Sequence, residues 1–132
     1  MQPSFSLAVS AGLTWAMLVV ASAARSRGWT RFGLKLALGN RDDMPAPSAF
    51  AARADRAAKN MLENLALFAT LLLAASLAGV ANAALAVPCA VFIYSRLVYA
   101  PLYWLGVKYV RTGVWLLSVA ALAWIAVLVV RA

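Results

Sequence analysis

The chain has no histidine, one cysteine (Cys89) and only four acidic residues in 132. Without histidine, and with a lone thiol, there is no ligand set for zinc or haem. One cysteine cannot close an intrachain disulfide, and it says little about redox compartment. Cys89 lies in the apolar run AVPCAVFIY, the setting of a buried, inert thiol. Twelve basic residues against the four acids leave a net charge of +8. A basic balance of this size can indicate nucleic acid, but a soluble basic domain does not carry several long uncharged segments. The composition is 65% hydrophobic with a mean hydropathy of +0.84, whereas soluble domains are about 45–50% apolar. Lipid is therefore the solvent for much of the chain. The positive charge reads as the positive-inside bias of a membrane protein, with attraction to anionic head groups.

Four apolar segments follow one another: Phe5 to about Ala24, Met61 to about Ala81, Ala83 to Val107, and Gly113 to Val130. Each has the length of about 18–25 residues that spans a bilayer core as a helix. No alternation supports a β-barrel. The stretch WAMLVVASAA at 15–24 has the look of a signal-peptide core. No lysine or arginine precedes Arg25, so the basic n-region is missing and the segment reads as a retained first span. The expectation is one domain over 1–132, an all-α four-transmembrane-helix bundle. Its helices are expected at about 5–26, 48–80, 83–107 and 111–131, with a loop at about 27–47. Within the broader connection 25–52, turn signals stand at Gly28, Gly33, Gly39-Asn40, Asp42-Asp43-Met44-Pro45 and Pro47-Ser48. Ser48 or Pro47 marks the start of the second helix. Between Arg25 and Lys59 there are eight basic residues and three acids, and the short turn 108–112 carries Lys108 and Arg111. This bias puts both connections on the cytoplasmic side and both termini opposite. Small residues at Ala74, Ala75, Ser76, Ala78 and Gly79 permit close helix approach, within one bundle or between subunits. Four thin helices with intramembrane charges favour an oligomer.

The polar residues of the second and third spans are not scattered. On a helix at 100° per residue, Arg53, Arg56, Asn60 and Glu63 fall within an arc of roughly 80°. On the third span Arg96, Tyr99 and Tyr103 share one face at i, i+3 and i+7. Arg96 lies about eleven residues from the expected cytoplasmic end, about 16 Å down the helix. A charge at that depth costs at least about 2.5–3.5 kcal/mol unless paired or wet. Glu63 has Arg56, or an arginine of another helix or subunit, as a partner. Such pairs can simply fix helix register. Yet Arg53, Arg56, Arg96 and Arg111 outnumber Glu63, and the surplus suits an anionic ligand with carboxylates. Pro101, in YAPLYWLG, is expected to kink the third span between two tyrosines. Tyr99 and Tyr103 read either as interfacial anchors or as hydrogen-bond donors to a ligand.

The run Arg56-Ala57-Ala58-Lys59-Asn60-Met61-Leu62-Glu63 resembles the RAxxNxxE signature of the MAPEG family, the membrane-associated proteins in eicosanoid and glutathione metabolism. Arg53 stands where that family keeps an arginine. Leu65-Ala66-Leu67-Phe68 is similar to its LPLF segment, with Ala66 in place of proline. Arg96-Leu97-Val98-Tyr99 followed by Tyr103 resembles its RxxY…Y pattern, most like the leukotriene C4 synthase branch. Arg111-Thr112 matches the family's basic turn, and Leu38-Gly39-Asn40-Arg41-Asp42-Asp43 resembles the loop of small bacterial members. The likeness covers about residues 5–130. Ala58 stands where some members have histidine or glutamine, and Thr112 replaces a frequent serine.

The resemblance implies a homotrimer that binds glutathione as cosubstrate between adjacent subunits near the cytoplasmic face, in the inner membrane if the chain is bacterial. Arg53, Arg56 and Arg96 would hold carboxylates, Glu63 the ammonium or an arginine, and Asn60 the peptide backbone. Tyr99 and Tyr103 would line the cleft. Arg111 with Thr112 would sit near sulfur and favour the thiolate, which would attack a lipophilic electrophile arriving from the bilayer. The function implied is a glutathione-dependent membrane transferase or peroxidase. Some family members are regulators without chemistry, so binding of a lipid, a glutathione-like anion or a partner protein is the alternative. A proton-coupled transporter using Glu63 is a third reading, disfavoured by the arginines around that acid.

Overall fold

A computed structural model describes residues 1–40 and 44–132. The turn signal at Asp42-Asp43 and the Arg41–Asp43 part of the loop resemblance lie outside the described residues. The order is α1 (Pro3–Ser26), α2 (Arg31–Leu38), α3 (Ala49–Leu77), α4 (Asn82–Leu105) and α5 (Tyr109–Val130). Four of these, α1, α3, α4 and α5, are long and apolar enough to cross a membrane. The molecule is an all-α bundle of four such helices, an integral multi-pass membrane protein.

Local chemistry sets the helix ends. The Ser48 hydroxyl accepts from the Ala51 amide at 3.1 Å and starts α3. Gly79 and Gly106 adopt φ of 73° and 80°, the left-handed conformation that glycine enters without penalty. Beyond them Val80 N–H returns to Ala75 O and Val107 N–H to Leu102 O, which satisfies the last carbonyls of α3 and α4. The connection between α4 and α5 is therefore shorter than the turn expected at 108–112. Tyr109 to Thr112 form the first turn of α5, so Arg111 and Thr112 project from a helix. Pro88 and Pro101 lie within α4, which runs helical from Asn82 to Leu105.

The packing is inside-out relative to a soluble bundle. Ser6, Ser10 and Thr14 are buried along α1, whereas Trp15, Leu73, Leu77 and Leu105 are exposed, as lipid-facing residues are. Two of these buried hydroxyls are satisfied locally, Ser6 donating to Gln2 O and Thr14 to Ser10 O, while Ser10 Oγ is buried without a partner. Helix α4 is the most enclosed span, packed chiefly on α5, while α1 packs chiefly on α3. Two apolar clusters fill the interior. One is built of large side chains, with Phe68 stacked on Phe92 at a centroid distance of 4.2 Å, over Leu85, Leu122 and Ile125. The other is nearly all small: Ala21, Ala54, Ala57, Ala58 and Ala100 with Met17 and Met61. Polar groups of α3, α4 and α5 meet where Asn60, Arg96 and Ser118 join.

Helix α2 corrects the expectation of a loop over 27–47. The short segment RFGLKLAL is helical because Thr30 caps it, its hydroxyl accepting from the Gly33 amide at 2.9 Å, and because α1 supplies a surface to pack on. Gly33 makes that packing possible. A Cβ there would stand 2.1 Å from Arg27 O and 2.3 Å from Ser26 O. We expect Gly33→Ala to push α2 off α1 and leave the four long helices in place. Overpacking costs about 1–3 kcal/mol, so amide exchange across 31–38 should accelerate by roughly 10-fold or more, measured by hydrogen-exchange mass spectrometry.

Candidate functional site

At the α2 end of the bundle a cleft of about 220 Å³ opens between α3, α4 and α5, lined by Asn60, Tyr99, Tyr103, Arg111, Thr112 and Trp115. Each helix contributes at a helical spacing: Tyr99 and Tyr103 are one turn apart on α4, and Arg111 and Trp115 one turn apart on α5. The Arg111 guanidinium lies over the Tyr103 ring at 4.3 Å, and Tyr103 meets Tyr99 edge to face at 5.4 Å. Stacking holds a cation at the cleft without neutralising it. The Thr112 hydroxyl donates to Lys108 O at 3.3 Å and keeps only acceptor capacity for anything bound.

Arg96 does not line this cleft. It is fully buried, with Nη1 donating to Asn60 Oδ1 at 2.9 Å and Nη2 to Ser118 Oγ at 2.7 Å. Ser118 in turn donates to Trp115 O at 2.7 Å. The guanidinium sits 5.5 Å from the Phe92 ring centroid and 5.2 Å from that of Tyr99, and Nε is buried without a partner. Its charge thus lies beneath Asn60 and fixes the Asn60 carbonyl inward, which turns the amide NH2 of Asn60 away from it. The cleft thus has a cation buried behind Asn60, with both terminal nitrogens of Arg96 already occupied.

The remaining stripe residues diverge. Arg53 Nε donates to Trp104 O at 2.9 Å and passes beside Gly106, so this arginine ties α3 to the end of α4. Arg56 is exposed and lines a separate recess with Arg25, Pro47, Ala51, Ala52 and Asp55. Glu63 is exposed as well. The expected pairing of Glu63 with Arg56 is not formed within one chain; among the described residues the ion pair is Lys59 with Asp55 at 3.0 Å. Two turns separate the two expected partners, and both side chains are exposed on α3.

The structure therefore brings together Asn60, Tyr99, Tyr103, Arg111 and Thr112, places Arg96 beneath them, uses Arg53 at a helix joint, and leaves Arg56 and Glu63 facing outward. Two contributors were not anticipated. Trp115 walls the cleft, and Ser118 completes the Arg96 network. Ser118 had a signal in the sequence, since it is the one hydroxyl between Gly113 and Val130. Trp115 had none, because a tryptophan in an apolar span reads as lipid-facing.

The MAPEG family model matches residues 4–131. No curated protein and no solved structure matches the chain.

Proposed function

The chain belongs to the MAPEG family, and we propose that it is a glutathione-dependent membrane transferase or peroxidase acting on lipophilic electrophiles. The observation that carries this reading is Arg111, held over Tyr103 at 4.3 Å at a cleft with the cation Arg96 buried behind its Asn60 wall. Two cations close to one low-dielectric recess favour an anion, and a thiol placed there ionises more readily.

The residues fit glutathione in part within one chain. A cleft of about 220 Å³ is below the usual range of about 300–1,000 Å³ for ligand pockets, so it accommodates a portion of a tripeptide. Arg56 and Glu63, exposed on the outer face of α3, complete the set only if a neighbouring subunit covers that face. This supports a homotrimer with the site between subunits. In this arrangement Arg56 binds a carboxylate and Glu63 the ammonium. Asn60 offers its amide NH2 to the peptide, Tyr99 and Tyr103 line the cleft, and Arg111 stabilises sulfur as thiolate. Arg53 and Arg96 serve by position, one at a helix joint and one through Asn60. The thiol proton leaves to water; the sulfur lone pair forms the S–C bond as the carbon–leaving-group bond breaks. The charge bias of the connections supports placing this end of the bundle in the cytoplasm.

One observation favours a second reading, a binding protein without turnover: the Thr112 hydroxyl is engaged by Lys108 O and has no proton to offer sulfur. Stopped-flow thiolate absorbance on the detergent-purified protein separates the two. Glutathione binding with a thiolate signal and turnover of a reactive lipophilic halide supports the enzyme. Binding without turnover supports the second reading, and no binding rejects both.

A further inference from the structure

Helix α2 and the turn before it take no part in the site described above. Trp29, Phe32, Leu34 and Leu38 are between 52% and 82% exposed, a high density of bare apolar surface for the ten residues 29–38. From Arg25 to Asn40 the chain carries Arg25, Arg27, Arg31 and Lys35 and no acid. Arg25 is engaged by Pro45 O. Arg31 and Lys35, one turn apart on α2, form one basic edge with Leu34 and Leu38 beside it.

The position of this surface is set by the backbone. Helix α1 ends at Ser26 and α2 starts at Arg31. The elbow is fixed: Arg27 is left-handed at φ 55°, Gly28 N–H bonds Ala23 O, and the Thr30 amide and hydroxyl both bond Arg27 O at 2.9 Å. The backbone contact at Gly33 then holds α2 against the end of α1. A helix joined this closely to a membrane span lies in the head-group layer, roughly 5–8 Å deep on each side of the hydrocarbon.

We propose that α2 lies in the plane of the membrane as an anionic-lipid docking helix, with Leu34 and Leu38 in the acyl boundary and the adjacent Arg31 and Lys35 on lipid phosphates. The combination of apolar edge and basic edge is that of an interfacial amphipathic helix. Charge complementarity selects the occupant. A second copy of α2 would bring two cationic edges together, and an acidic soluble partner would leave the exposed apolar edge of Leu34 and Leu38 unexplained. A negatively charged leaflet satisfies both halves of the surface. The inference does not depend on glutathione chemistry.

The test uses the full chain in lipid nanodiscs with a nitroxide on Leu34→Cys. Cys89 is fully buried, and mock labelling of the unsubstituted chain checks that it stays silent. Collision with membrane-dissolved oxygen and with an aqueous nickel chelate reports the depth of the label. In discs containing phosphatidylglycerol the label is expected to favour oxygen. Replacing that lipid with phosphatidylcholine, or adding Arg31→Gln and Lys35→Gln, is expected to move it toward water. Each basic group near an anionic surface is worth about fivefold, so the pair shifts the docking equilibrium by up to about 25-fold. Three results overturn the proposal. A label that favours the nickel chelate in every lipid leaves α2 in water. A label that stays in lipid irrespective of head-group charge removes the basic edge from the interaction. Dipolar broadening between labels on different copies, unchanged by lipid, makes α2 a subunit contact.

Discussion

Arg111→Ala is expected to lower turnover of a lipophilic halide with glutathione by about 10²–10³-fold, the usual cost of removing one preorganised group that stabilises developing or resting negative charge in a dry site. The loss should fall mainly on kcat, with the thiolate absorbance of bound glutathione falling in parallel. Arg111→Lys keeps the charge but not the planar stack on Tyr103, which lies 4.3 Å from the guanidinium carbon. Lysine is a compact, mobile point charge, so this variant should fall between the wild type and alanine. Steady-state kinetics and stopped-flow absorbance on the same preparations check both. Activity of Arg111→Ala equal to wild type would remove Arg111 from the reacting centre, and the proposed chemistry with it.

The other large effect concerns stability, and two substitutions at one network should give opposite results. Asn60→Leu leaves the buried Arg96 guanidinium without the partner that accepts from Nη1 at 2.9 Å. Hydrogen bonds to charged groups contribute about 1.5–3 kcal/mol, and the charge stays in place. The protein should unfold at markedly lower denaturant or temperature. Arg96→Met removes the charge together with its desolvation cost. An apolar side chain of similar length among Phe92, Tyr99 and Ala100 is expected to be near neutral or stabilising. Ser118 still donates to Trp115 O, and Asn60 lines the cleft, so neither is stranded. Intrinsic-fluorescence melts in detergent compare the pair. A strong loss in Arg96→Met equal to that in Asn60→Leu would mean that the network holds the fold rather than the site.

The fold was legible in the sequence because lipid imposes a simple rule: long uncharged runs become helices, and four such runs make a four-helix bundle. Helix α2 was not legible. It is only eight residues long, too short to be stable alone, and it forms because Thr30 caps it and Gly33 lets it touch α1. The site was legible as a stripe but not as a set of separate fates. Helical periodicity put Arg53, Arg56, Asn60 and Glu63 on one side of α3. It could not tell that Trp104 O claims Arg53, that Asn60 turns inward to Arg96, or that Arg56 and Glu63 look outward. Those outcomes depend on which helix packs where, and an arc of roughly 80° is wide enough to hold both inward and outward positions.

The buried Arg96 also bears on how the chain enters the membrane. When α4 leaves the translocation machinery it carries an arginine whose cost at the centre of a lone helix is about 2.5–3.5 kcal/mol. Asn60, on the preceding α3, is already made and can take one Nη group at once. Ser118 lies 22 positions further along the chain and is not yet synthesised. Helices α1 and α3 meet this difficulty less, because Ser6 and Thr14 of α1 and Thr70 of α3 bond backbone carbonyls four residues back. Helix α4 is thus the span that needs company on both sides, and Ser118, the one hydroxyl of α5 beyond its first turn, completes it.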